Sequence, residues 1–129
     1  MILVDSSFFI GYFNKNDQWH KKALKIGGKI ENQEKVISNL IISETITQIG
    51  NLFGGKAGKI TYEHLIDNYI VFKENRDIYN KSMEIFLKYD GKLSLADSLS
   101  IVIMKELNIH EIASFDADFD NKKGIVRLY

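Results

Sequence analysis

The chain contains no cysteine and no proline. Without thiols it has no disulfide framework and no thiolate metal site. Without proline, no helix loses an amide donor or is broken from within. A charge surplus is missing as well: 17 basic residues balance 17 acidic ones. The basic excess that usually marks a nucleic-acid-binding chain is therefore absent. No apolar run reaches the ~20 residues of a membrane span. The opening "MILVDSSFF" lacks the basic n-region of a signal peptide, so a cytoplasmic protein with no membrane association is expected.

What remains is ordinary for a globular protein. At 129 residues one domain, 1–129, with a real core is expected. About half the residues are hydrophobic, 45%, and 26% are charged. The distribution of charge is more informative than its sum. Lys15, Lys21, Lys22, Lys25, Lys29 and Lys35 crowd the first third, while several acids fall at the ends of apolar runs. A neutral total can hide a basic surface around an acidic pocket.

Short apolar runs alternate with segments of helical spacing. "MILVD", "KVISN", "YIVFKE", "EIASFD" and "IVRLY" read as strands. "SSFFIGYF", "DQWHKKALKIGGKIEN", "LIISETITQIGNLFG", "ITYEHLIDN", "RDIYNKSMEIFLKYDG" and "SLADSLSIVIMKEL" read as helices, with Gly54 stopping the third. Apolar strands separated by helices predict an α/β fold whose parallel sheet is covered on both faces.

In such sheets ligands gather beyond the carboxyl ends of the strands. Asp5 ends the first strand. Glu44 lies near the start of the helix after the second. Asp116, followed by Asp118 and Asp120, ends the fourth, and Asp97 heads the helix before it. Asp97 has a purely structural reading too: an acid in a first turn complements the helix dipole, and Ser94 three residues earlier completes a capping-box pattern. Right-handed crossovers bring Asp5 and Asp116 to one edge, within reach of Glu44 and Asp97. Crowded carboxylates repel, by ~1 kcal/mol at ~4 Å in water and several times more near a protein surface. Oxygen-only ligands select hard cations, Mg²⁺ or Mn²⁺. Such ions polarise phosphoryl oxygens and activate water. The chemistry indicated is metal-assisted phosphodiester hydrolysis.

"ILVDSSFFIGYF", "ISETITQI", "LSLADSLSIVIMKELNI" and "IASFDADF" together resemble, in order and spacing, the four signature segments of PIN-domain ribonucleases, in particular the small VapC-type toxins of VapBC toxin–antitoxin pairs. The resemblance runs from Ile2 to the final strand. It implies a PIN-like five-stranded parallel sheet sandwiched between helices, and an acidic pocket that binds Mg²⁺ or Mn²⁺ and cuts RNA. Asp5, Glu44, Asp97 and Asp116 match the catalytic, metal-holding acids. Ser6, Ser114 and Asp118 match supporting positions, while Asp120 reads as a solvated turn acid. The resemblance also implies an antitoxin partner that blocks the pocket with a basic side chain, and a homodimer. Ile46, Ile49, Leu52, Phe53, Tyr62, Leu65 and Ile66 form an apolar surplus suited to the dimer contact. The arginine rim common in these toxins has only Arg76 and Arg127 to draw on, which leaves phosphate contacts to lysines.

Other signals are weaker. "GGKAGK" lacks the Ser or Thr and the preceding strand of a phosphate loop, and a flexible connection is expected there. His20, His64 and His110 share no ligand spacing. Trp19, Tyr12 and Phe13 are apolar anchors or base-stacking rings. Two alternatives to a toxin remain open: a PIN nuclease of RNA processing, and a metal-binding or phosphoacceptor regulatory module, since an Asp at a strand end also suits a receiver domain.

Overall fold

Ile2, Leu3 and Val4 have no exposed surface at all, so the first strand is central and buried on both faces, as its unbroken apolar run requires. In the computed structural model, which describes residues 1–129, it forms β1 (Ile2–Val4). The chain continues through α1 (Ser6–Phe13), α2 (His20–Ile30), β2 (Lys35–Ile37), α3 (Asn39–Phe53), α4 (Gly55–Asn68), β3 (Ile70–Val71), α5 (Arg76–Lys88), α6 (Leu95–Glu106), β4 (Glu111–Ala113) and β5 (Val126–Leu128). A single 3₁₀ turn, Ala117–Phe119, lies between β4 and β5.

The five strands form one sheet in the order β3-β2-β1-β4-β5. Every pairing is parallel. Connections β1→β2 and β2→β3 step towards one edge, while β3→β4 returns across the sheet. Right-handed crossovers in opposite directions put their helices on opposite faces. The packing agrees: α1 lies against α2 and α3, α3 against α4, and α5 against α6. The expected α/β architecture, a five-stranded parallel sheet between helices, is the one observed. The order reverses between β1 and β4, which opens a crevice beyond their carboxyl ends.

The elements differ in detail from the sequence expectation at three places. The third strand shrinks to Ile70–Val71, an edge position with only β2 to pair with. "GGKAGK" is not a flexible connection. Gly54 alone makes the turn, with φ +95°, and α4 begins at Gly55. The helix runs on through Gly58, which packs against α3: a Cβ there would stand in ordinary contact with Ile46 Cγ2 and the Ile46 carbonyl, each at 3.5 Å. The apolar surplus on the middle helices also divides. Ile49 and Leu65 are buried and Ile46 partly so, whereas Leu52, Phe53, Tyr62 and Ile66 are exposed, joined by Ile60.

Candidate active site

The apolar run of β1 ends at Asp5, whose extended backbone (φ −89°, ψ 158°) makes it the residue before α1. Its amide donates to the Ala113 carbonyl of β4 at 3.0 Å, which fixes the two strand ends side by side. Its side chain does not cap the helix. Instead Asp5 Oδ2 accepts from Ser7 Oγ at 2.7 Å and from Ser114 Oγ at 2.9 Å. The Ser114 hydroxyl also accepts the Asp116 amide at 3.0 Å. Asp116 in turn accepts the Asp118 amide at Oδ1, 2.9 Å, and so starts the 3₁₀ turn. One chain of short polar contacts thus joins the ends of β1 and β4.

Two helices bring the other acids. Ser38 caps α3 by accepting the Ile41 amide, and the second turn then presents Glu44, whose Oε2 accepts from Ser6 Oγ at 3.0 Å. Ser94 caps α6 by accepting the Asp97 amide at 3.1 Å. The capping expectation for this segment therefore holds for Ser94. The Asp97 carboxylate faces the crevice, where it lines a cavity of about 670 Å³ together with Asp5, Glu44, Asp116 and Asp118. Oxygens of Asp97, Asp116 and Asp118 lie within 4.8 Å of one another.

Burial and mutual repulsion shape the titration of these groups. Asp97 is pushed up to about 8, first by burial and then by the charges of Asp5, Asp116 and Glu44. Burial raises Asp5 too, against the opposing hydrogen bonds from Ser7 and Ser114. Glu44 is more open to solvent, yet loss of hydration is again the first cause of its raised pKa. The Ser6 hydroxyl lowers it, and the charges of Asp5 and Asp116 add to the rise. A cation among them would relieve this repulsion. The donors are all hard oxygens, the set that Mg²⁺ and Mn²⁺ prefer. The residues present fit such an ion.

The sequence-derived site residues largely converge. Asp5, Ser6, Glu44, Asp97, Asp116 and Asp118 all line the cavity, and Ser114 anchors Asp5 from beneath. Asp118 is a full member of the close carboxylate group, whereas Asp5 and Glu44 stand beside it. Asp120 is not a solvated turn acid. Arg127 grips it through Nε at 2.7 Å and Nη2 at 2.8 Å, and this pairing holds its pKa below the usual carboxylate range. Arg127 is consequently committed to structure, and Lys92 is the one basic residue lining the cavity. Ser7 escaped the sequence reading. Its signal was a hydroxyl two residues after a strand-end acid, a position that serves equally as ordinary helix start. The histidines lie outside the carboxylate group: His20 Nδ1 meets the Gly11 carbonyl at 2.8 Å, His110 Nδ1 that of Gly124 at 3.2 Å, and His64 Nδ1 the Asn68 side chain at 3.2 Å. Trp19 parts from Tyr12 and Phe13. It stacks on Phe115 beside the cavity, while Tyr12 packs on Phe8 and Phe13.

No curated protein matches the sequence. Solved structures with similar folds do exist. The Mycobacterium tuberculosis VapC20, a toxin that cleaves the sarcin–ricin loop, aligns with a TM-score of 0.80 at 24% identity over 92% of each chain. A toxin–antitoxin complex from Klebsiella pneumoniae aligns with a TM-score of 0.75 at 17% identity, covering 100% of this chain and 98% of that one. FitAcB from Neisseria gonorrhoeae gives a TM-score of 0.63 at 16% identity, over 91% and 88% of the two chains. The PIN domain family model matches residues 2–125. With its 3-2-1-4-5 parallel sheet and its carboxylates gathered at the β1–β4 crevice, the chain belongs to the PIN domain family.

Proposed function

We propose that the chain is an Mg²⁺-dependent endoribonuclease, with Mn²⁺ an equally suitable ion, and that it is the toxin of a toxin–antitoxin pair. Residues 1–129 act as one PIN domain in the cytoplasm. The observation that carries this reading is the cluster of Asp97, Asp116 and Asp118 oxygens within 4.8 Å, set beside Asp5 and Glu44 in an open crevice. The toxin and toxin–antitoxin structures of like fold support it.

Asp97, Asp116 and Asp118 hold the ion, with Asp5 and Glu44 as further ligands or charge partners. A bound divalent ion supplies polarisation of the phosphoryl oxygen and of the attacking water. Ser7 and Ser114 fix the Asp5 carboxylate, and Ser6 fixes that of Glu44. Glu44 is open to solvent, and its raised pKa suits a group that takes a proton from water. Six carboxylates and one lysine line the cavity, so a basic side chain of an antitoxin, Arg above all, is the natural inhibitor: it pairs with the acids in place of metal. The exposed apolar residues of α3 and α4 form the contact of a homodimer.

The test is cleavage of a mixed RNA pool by the purified chain, with Mg²⁺, with Mn²⁺ and with chelator, together with copurification from the native host. Metal-dependent cleavage and a small bound partner are expected. Cleavage unaffected by chelation, or none with either ion after any partner is stripped, would overturn the enzymatic reading. A neighbouring reading frame with no small partner would leave a nuclease of RNA processing.

A further inference from the structure

The rings of Trp19 and Phe115 lie parallel, 6° apart with centroids 5.2 Å apart. Both are only half-buried, and both line the acidic cavity. Core aromatic pairs are sealed on all sides; this pair opens onto the crevice. The backbone beneath it is clamped. Asp17 Oδ2 accepts the Trp19 amide at 2.9 Å, and the Phe115 amide donates to Ser7 Oγ at 2.9 Å. Gly11 leaves the space the rings occupy, since a Cβ there would stand 3.1 Å from Phe115 Cε2 and 3.4 Å from Trp19 Cβ. Phe115 sits in sequence between Ser114, which holds Asp5, and Asp116 of the carboxylate group. A base resting on the pair would therefore have its phosphate next to the acids. The exposed Lys22 holds its ammonium over the indole, 5.3 Å from the centroid; a base that takes this place on the ring would turn the lysine outward, to its own phosphate.

We infer that Trp19 and Phe115 form a nucleobase-stacking platform at the mouth of the carboxylate cavity, with Lys22 meeting the phosphate of the stacked nucleotide; this rests on the ribonuclease reading above. Aromatic faces accept any base, so the platform binds single-stranded RNA with little sequence preference. It also supplies attraction that the acid-lined cavity lacks. The neutral total charge of the chain then ceases to argue against RNA, because stacking does not depend on a basic surplus.

Trp19 is the single tryptophan, so its fluorescence reports directly on this site. The probe is a short single-stranded oligonucleotide of 2′-O-methyl nucleotides, compared with an abasic strand of equal length and charge, both in Mg²⁺. Quenching by the first and not by the second is expected. Trp19→Leu should weaken binding, read by anisotropy of a labelled strand, and raise KM by about 5- to 150-fold with kcat largely kept. Trp19→Phe should restore much of the loss. Equal quenching by both strands, or an unchanged KM in Trp19→Leu, overturns the platform. If Trp19→Leu fails to fold, the comparison of the two strands on the parent protein decides alone. Parent cleavage that Asp97→Asn abolishes, with Trp19 unquenched, refutes the platform and spares the nuclease. Quenching without any cleavage does the reverse.

Discussion

Ser114 Oγ donates to Asp5 Oδ2 at 2.9 Å, across 109 positions of sequence. Asp5 is 4% exposed and Ser114 not at all. A carboxylate so placed is held by its donors, and its direction into the crevice depends on them. Ser114→Ala removes a charge-assisted hydrogen bond and frees the Asp116 amide. Stability should fall by about 1–3 kcal/mol. RNA cleavage should fall about tenfold or more as Asp5 loses its orientation. Thermal melts and single-turnover cleavage check both; a variant with parental activity would mean that Asp5 needs no support.

Asp97→Asn separates the capping role from the metal role. Ser94 caps α6 through the Asp97 amide, which the substitution leaves intact, so the helix should be undisturbed. Removing one charge relieves repulsion. The metal-free protein should keep or gain stability, its stabilisation by Mn²⁺ should shrink, and cleavage should drop by at least about 100-fold. Asp120→Asn should do the opposite. It breaks the grip of Arg127, whose side chain is only 7% exposed, so the melting temperature should fall while the response to Mn²⁺ persists. Melts with and without Mn²⁺ compare the two.

The acid cluster sets a pH dependence. The Asp97 pKa is about 8 in the folded chain against 3.8 for an ordinary aspartate, so between these limits the folded state binds more protons than the unfolded one. Stability of the metal-free protein should then decline as pH rises from about 4 towards 8. Asp5 and Glu44, also raised, act in the same sense. Saturating Mg²⁺ should flatten the slope. Urea melts at pH 5, 6, 7 and 8 measure it, and a metal-free midpoint that climbs over this range would contradict the clustered acids.

Leu52 and Phe53 are half-exposed near the end of α3, and Ile60, Tyr62 and Ile66 are similarly exposed on α4. An apolar surface of this kind marks an interface. Light scattering at micromolar concentration should give a dimer. Phe53→Lys should give a folded monomer; a parent protein that is monomeric in both low and moderate salt would remove the dimer.

Gly54, at φ +95°, carries the whole turn from α3 to α4. Gly54→Ala forces a side chain into a left-handed conformation and should cost about 1 kcal/mol or more. Gly55→Ala falls at the first position of α4 with nothing within 4 Å of its Cβ, and should be neutral or stabilising. Paired melts distinguish a defined turn from a flexible link, in which neither change would matter.

The sequence by itself determined the strand–helix alternation, the parallel sheet, the cap at Ser94, and the acids that end strands or begin helices. These follow from short-range periodicity and local hydrogen bonding, which a linear chain displays openly. Tertiary structure alone decided which oxygen meets which donor. Ser6 and Ser7 are neighbours, but successive helix positions point about 100° apart, so one reaches Glu44 and the other Asp5. Asp118 and Asp120 look alike in "FDADFD", yet the 3₁₀ turn sends the first to the carboxylate group and the second to Arg127. "GGKAGK" reads as a loop from its glycines, yet Gly54 alone makes the turn and the rest is helix packed against α3. Trp19 reads as one of an aromatic trio, and the fold pairs it instead with Phe115 from the far end of the chain. Each of these outcomes depends on the direction of a side chain relative to a distant element, and that direction exists only once the sheet has brought β1 and β4 together.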